Sequence, residues 1–241
     1  MYGDFDIHVD LTQFRRDMSA IEREQMPFAT RLALNETAKE VVEDFRSEMV
    51  RAFDRPTPWT LNAFHVKWAT KTNQVATVQR KTPQRGRHYL EVQSAGGVRP
   101  QTALEKLVAS RLKYGGIVRT IAPAGGARLN TYGNWSPAQR NQVLSAIKAQ
   151  RDARSNTTKR SQKRAKSRSQ FFVPKPGSKL SSGVFERRGK RGKLKKIVHI
   201  SGSSSSYRQR VQFEKVAVRR VSMSFEKNFA TAFARAMATA R

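Results

Sequence analysis

The sequence predicts an α+β fold, an antiparallel or mixed sheet packed against long N-terminal and C-terminal helices, with basic flexible arms. Three observations predict it. Apolar residues recur at three- and four-residue intervals near both ends of the chain. Between those stretches lie short apolar runs of strand length. Two clusters of Lys and Arg, poor in apolar side chains, interrupt the second half.

The elements follow in order. Ser19-Ala20-Ile21-Glu22 has the spacing of a capping box, and Pro27 suits the first turn of a helix. From Phe28, the positions Leu32, Ala38, Val41, Val42, Phe45, Met49 and Phe53 form one stripe. Arg31, Glu36, Lys39, Glu40, Glu43, Asp44 and Arg46 fill the rest. That is an amphipathic helix of about seven turns, stopped by Pro56 and Pro58. Leu61, Ala63, the run Phe64–Trp68, Val75–Val78 and His88–Val92 read as two or three antiparallel strands. Pro100 is positioned to start a helix carrying Leu104, Leu107, Val108 and Leu112, which closes before Gly115-Gly116. A short run from Ile117 to Ile121 reaches Pro123, and Gly125-Gly126 turns the chain. Ser136-Pro137-Ala138-Gln139 then gives a cap, a proline at the first helical position and a capping-box glutamine, followed by Val143, Leu144 and Ile147.

Residues 151–170 contain no Val, Ile, Leu, Met or aromatic residue; they carry Arg151, Arg154, Lys159, Arg160, Lys163, Arg164, Lys166 and Arg168. A second cluster holds Arg187, Arg188, Lys190, Arg191, Lys193, Lys195 and Lys196. Both read as mobile arms or loops. Phe171–Val173, Gly183–Phe185 and Ile197–Ile200 are short strands. At the end, Val221, Phe225, Phe229, Phe233 and Met237 recur every fourth residue among alanines, a helix with a partner-facing stripe. The organisation expected is an N-terminal arm and short helix over 1–25, a single discontinuous α+β domain over 26–150 and 171–241, and a basic arm over 151–170. Leu32, Val41, Phe45, Met49, Val221, Phe225, Phe229 and Phe233 are the core or interface candidates, with the two long helices packing across the sheet.

Charge bounds the function. The chain has 47 Lys and Arg against 18 Asp and Glu, a formal net +29. Residues 1–54 hold 12 acids and 7 bases; residues 55–241 hold 6 acids and 40 bases. Such a field repels other copies unless phosphate or an acidic partner offsets it, and the acidic first segment is one such partner, in cis or on a neighbouring copy. The basic clusters are the expected contacts with DNA or an acidic partner, electrostatic and sequence-independent. No aromatic interleaves with the first cluster to stack on bases, and no recognition helix is evident.

Chemistry is not signalled. The absence of cysteine excludes disulfides and thiolate metal sites while leaving the redox compartment open. His8, His65, His88 and His199 are scattered, without zinc-helix spacing. Glu40, Glu43, Asp44 and Glu48 have the spacing of a solvated helix rather than of a two-metal nuclease. The Gly-Gly pairs lack the phosphate-loop pattern. No enzyme, cofactor or metal is expected. The acidic start lacks the regions of a signal peptide, and no apolar run approaches the roughly 20 residues of a membrane span.

Read together, several stretches resemble the minor tail protein Z family of phages and prophages. They are Met26-Pro27-Phe28-Ala29-Thr30-Arg31-Leu32-Ala33-Leu34-Asn35-Glu36-Thr37-Ala38, Phe53–Ala63, Gly96-Gly97-Val98-Arg99-Pro100-Gln101-Thr102-Ala103-Leu104-Glu105, Leu129–Asn134 and Lys179–Arg187. The likeness runs in order along nearly the whole chain. It implies an α+β tail-completion or head–tail joining subunit, located in the virion neck or tail and in the host cytoplasm during assembly. It further implies a ring, about sixfold or twelvefold, around the DNA channel. The implied partners are further copies, a connector, a tail terminator or tail tube, and viral double-stranded DNA in passing, with no membrane. No catalytic residue comes with the family. The competing reading from the residues alone is a free basic nucleic-acid-binding or packaging protein.

Overall fold

The computed structural model describes Arg16, Met18, Ser19 and residues 21–81, 89–112, 117–164, 169–175, 177–188 and 192–239. The fold is α+β, every described strand pair is antiparallel, and the chain forms two compact units: residues 1–88 with 211–241, and residues 89–210.

The first unit is built on two long helices. A π-turn, Ile21–Gln25, runs into α1, Met26–Ala52, whose Pro27 sits in the first turn as the sequence predicts. A short helix α2, Pro58–Leu61, starts at Thr57, whose hydroxyl accepts from the Thr60 amide at 3.2 Å. The hairpin β1, Phe64–Lys67, with β2, Thr77–Arg80, packs against α1. Asn35 on α1 brackets the backbone of Ala69, accepting from its N–H at 2.8 Å and donating to its carbonyl at 3.1 Å. The last helix of the chain, Phe213–Ala238, packs along α1 itself, not across a sheet from it. This corrects the expected arrangement of the core.

Small side chains are the reason. Ala29 and Ala33 face Ala232 and Ala236, all buried, so the two backbones approach where longer side chains would hold them apart. Further along, Asn228 Nδ2 donates to Thr37 Oγ1 at 3.1 Å. The buried row of the last helix is therefore Ser224, Ala232 and Ala236, one position round from the phenylalanine row. Phe225, Phe229 and Phe233 flank it half-buried, their rings stacked at 6.2 and 6.1 Å, with Leu32 and Phe28 opposite. Val221 is 45% exposed, which removes it from the core of the single chain while leaving it available to a partner. Val41, Phe45 and Met49 are buried, as expected. Phe45, Phe64 and Phe213 close the other end as a triangle, with centroids 4.8, 4.9 and 4.8 Å apart. Ala33→Leu should destabilise the protein by about 1–3 kcal/mol by overpacking this seam. An unchanged denaturation midpoint would contradict the close approach.

The second unit contains α3, Leu90–Ala95; β3, Gly97–Val98; α4, Ala103–Arg111; β4, Thr120–Pro123; α5, Pro137–Ala146; a 3₁₀ turn, Ala153–Ser155; α6, Lys159–Arg164; β5, Ser169–Phe172; β6, Gly183–Arg188; β7, Leu194–Ser201; and β8, Ser206–Tyr207. The helix Phe213–Ala238 of the first unit is thus α7. Strands β4-β7-β6-β5 form a four-stranded sheet in that order, and β3 pairs with β8. Val108 of α4 and Val143 and Leu144 of α5 pack with Val184, Ile197, Val198 and Ile200 as its core.

Several local expectations are corrected here. Residues 90–95 are helical rather than a strand: Leu90 is fully buried, and β3 takes β8 as its partner, so tertiary context overrides β-propensity. The helix expected at Pro100 begins instead at Thr102, which forms a capping box with Glu105. Ser136 makes no side-chain cap; Gln139, read as its partner, accepts from the Arg128 amide at 2.7 Å and from Trp135 Nε1 at 3.0 Å. The stretch 151–170 is not simply a loop, since it contains the 3₁₀ turn, α6 and the first residues of β5. The second basic cluster belongs to a hairpin, because β6 continues to Arg188 and β7 begins at Leu194.

Candidate nucleic-acid and partner interface

Strand pairing sets the strand that follows the first basic segment beside the strands that carry the second. The first segment leads into the start of β5, and β5 runs antiparallel to β6, with Ser169 opposite Arg188 and Gln170 opposite Arg187. In turn, Arg187 lies opposite Leu194 at the start of β7, next to Lys193. The strand that follows the first cluster thus lies beside the strands that carry the second. The Gly126 amide donates to the Lys196 carbonyl at 2.9 Å, which seats the turn after β4 beside β7 as well.

Arg151, Arg154, Lys159, Arg160, Lys163, Arg164, Arg187 and Lys193 are exposed. Asp152 caps the 3₁₀ turn, accepting from the Arg154 amide at 2.9 Å, and Thr158 Oγ1 accepts from the Ser161 amide at 3.2 Å in the first turn of α6. Arg188 is the last residue of β6. Lys166, Arg168, Lys190 and Arg191 lie outside the described residues, as do His8 and His88.

Residues 89–210 hold 27 Lys and Arg against 4 Asp and Glu, a net +23, whereas the remainder of the chain holds 20 against 14, a net +6. Two of those four acids are buried. Glu186 lies on β6 opposite Lys195. Glu105 accepts from Arg99 Nη1 and Nη2 at 2.9 and 2.6 Å, from the Thr102 amide at 2.6 Å and hydroxyl at 2.8 Å, and from the Ile121 amide at 3.0 Å. Burial pushes its pKa up, but the Arg99 guanidinium and these donors outweigh burial and hold it at about 2. The exposed cations therefore face solvent with little exposed acid to offset them.

Pairing across strands also adds what a linear reading misses. The Arg187 guanidinium lies over the Phe172 ring at 5.3 Å, Lys196 Nζ over Phe185 at 5.9 Å, and the two rings stack at 6.2 Å. Aromatic and basic side chains do interleave here, across β5, β6 and β7 rather than along the chain. The period-two spacing of Phe185 and Arg187 was the available signal.

Glu40 and Asp44, the carboxylates weighed for a nuclease, are committed to the helix seam. Asp44 accepts from Arg220 Nε and Nη2 at 2.6 and 2.7 Å, and Glu40 accepts from Asn228 Nδ2 at 3.2 Å with Arg220 Nη1 at 3.8 Å. The Arg220 hydrogen bond holds Asp44 below its ordinary pKa. The Ser224 hydroxyl, with Asn228 and Arg220, does the same for Glu40 against the effect of burial. Both carboxylates clamp α1 to α7. Among the described residues no group of three or more His, Asp or Glu could hold a metal ion, and no helix is long and apolar enough to cross a membrane.

The residues behind the family resemblance do structural work. Asn35 holds Ala69, Thr37 receives Asn228, Arg99 and Thr102 surround Glu105, and Gln101 Nε2 donates to the Val118 carbonyl at 2.7 Å. Asn130 Oδ1 accepts from the amides of Tyr132 and Asn134 at 3.0 and 2.9 Å, closing the turn between Leu129 and Trp135. No family model, curated protein sequence or solved structure matches the chain.

Proposed function

We propose that this chain is a non-enzymatic structural subunit of a tailed-phage neck, a tail-completion or head–tail joining piece that closes into a ring around the DNA channel. The observation that carries the reading is the exposure of both basic segments in a unit of net +23, the strand that follows the first pairing with the strand that carries Arg187 and Arg188. A surface of that kind tolerates a polyanion sliding past, because contacts to phosphate carry no sequence information. The exposed apolar side chains of α7, Val218 at 65%, Val221 at 45% and Met223 at 64%, support contact with further copies or with neck and tail proteins. The family resemblance supports the same role.

Two measurements test this. Light scattering on the purified protein should give the mass of a closed multimer; a persistent monomer at assembly concentrations contradicts autonomous ring formation. Duplex DNA should bind without sequence preference, and replacing Lys159, Arg160, Lys163 and Arg164 by Gln should make the plot of log K against log salt shallower by up to about 3.5. An unchanged slope would remove α6 from the contact. The second reading, a free basic nucleic-acid-binding or packaging protein, rests on the same cations and on the Arg187–Phe172 and Lys196–Phe185 pairs. It requires DNA binding by a monomer, so the mass measurement separates the two.

A further inference from the structure

We infer that Ser181, Lys196 and His199 form a phosphate seat on the face of the four-stranded sheet that turns away from its core. The inference deepens the proposed DNA contact and takes from that reading only the source of the phosphate.

A bulge builds the seat. Val184 pairs with Val198, and the next residue of β6, Phe185, pairs with Lys196, so Ile197 is an extra residue on β7. In a regular strand, residues three apart point to opposite faces; the extra residue reverses this and puts Lys196 and His199 on the same face. Ile197 and Val198 stay buried in the core on the other. Gly183 lies opposite His199, and a Cβ there would stand 2.7 Å from Lys196 Cε, so a bare glycine lets the lysine stem cross. The ammonium ends between Ser181 Oγ and His199 Nδ1, donating to each at 2.9 Å, with Nζ 5.9 Å from the Phe185 ring centroid.

These contacts leave donors pointing outward. An ammonium only donates, so His199 Nδ1 accepts and the ring proton lies on Nε2. Ser181 Oγ also accepts, which leaves its own hydrogen to donate elsewhere. The third ammonium proton, the serine hydroxyl and the imidazole Nε2–H can thus meet one anion, and Ser181 and His199 are exposed to it. Lys196 has only uncharged neighbours in these contacts, and the four acids of residues 89–210 are engaged elsewhere. Glu91 lies in the first turn of α3, Glu105 is bound by Arg99, and Asp152 caps the 3₁₀ turn. Glu186 is buried and, between Phe185 and Arg187 on β6, points to the opposite face. Arg187 shares the face of the seat, over the Phe172 ring. Several donors and two cations match the acceptor oxygens and charge of a phosphate group.

The full-length protein can be tested with two probes, a duplex of mixed sequence and inorganic phosphate. Lys196→Gln should weaken duplex binding about tenfold. Lys195→Gln removes the same charge from the opposite face and should have a several-fold smaller effect. Ser181→Ala and His199→Ala should each weaken binding several-fold, and should add little when combined with Lys196→Gln. Inorganic phosphate, titrated at fixed pH and ionic strength, should shift the ring resonance that His199→Ala lacks, saturably, and Lys196→Gln should abolish that shift. Losses of duplex binding identify the DNA backbone as the source; a saturable shift without them identifies the free ion. Equal effects of the Lys195 and Lys196 variants, with none from Ser181→Ala or His199→Ala and no saturable shift, overturn the seat. The DNA reading would then still stand if the α6 variant flattens the salt slope. An unaltered protein that fails to bind duplex sinks the DNA contact, while the phosphate titration still decides the seat.

Discussion

Glu105→Ala is expected to cost about 3–5 kcal/mol, because it leaves the Arg99 guanidinium without its partner in a place where the carboxylate is almost fully buried. The loss extends beyond one ion pair. The same carboxylate caps α4 through Thr102 and ties β4 to that helix through the Ile121 amide, so three elements lose a common anchor. Acid should act through the same group. Its folded pKa, about 2, lies below the ordinary carboxyl value of 4.5, so its contribution is complete above the unfolded value and is lost as pH falls from 4.5 towards 2. The shift corresponds to about 3 kcal/mol at neutral pH. Denaturation curves at pH 6 and pH 3 should therefore differ less in Glu105→Ala than in the unaltered protein. If the two proteins lose the same stability over that interval, Glu105 is not the group responsible.

Gly183→Ala is expected to be as damaging for a steric reason. A Cβ at this position would stand 2.1 Å from the Val198 carbonyl oxygen and 2.7 Å from Lys196 Cε. The lysine could move; the carbonyl belongs to β7, between β6 and β4, and is held on both sides. The expected cost is at or above the upper end of the about 1–3 kcal/mol typical of overpacking. Gly125→Ala serves as the control, since nothing lies within 4 Å of its added methyl. A Gly183→Ala protein melting with the control would show that β6 can shift away from β7 at little cost. The finding also explains the Gly-Val within the Lys179–Arg187 stretch: the sheet admits no side chain at that crossing.

Much of this fold was legible in the sequence because its signals are local. The periodicity from Phe28 to Phe53 marked α1, the four-residue recurrence near the end marked α7, and short apolar runs marked β1, β5, β6 and β7. The misreadings share one cause. Residues 90–95 have strand-like composition and Ser136 looks like a cap, yet the partners that decide each case are distant in sequence. The candidate site divides the same way. Its cations were visible by composition, but nothing linear showed that the strand following the first basic segment pairs with the strand carrying Arg187 and Arg188, or that Phe172 and Phe185 lie beneath two of the bases.

By itself, the sequence determined the fold class, the two long helices and a charge distribution that is strongly basic past the first helix. Each of these depends on spacing within a few residues or on plain counts. Only the tertiary structure decided which row of α7 is buried, that Glu40 and Asp44 serve as a clamp, and that Glu105 ties β4 to α4 through the Ile121 amide. Those outcomes turn on which small side chains let two backbones approach and which amide finds a carboxylate, contacts made between residues far apart in the chain.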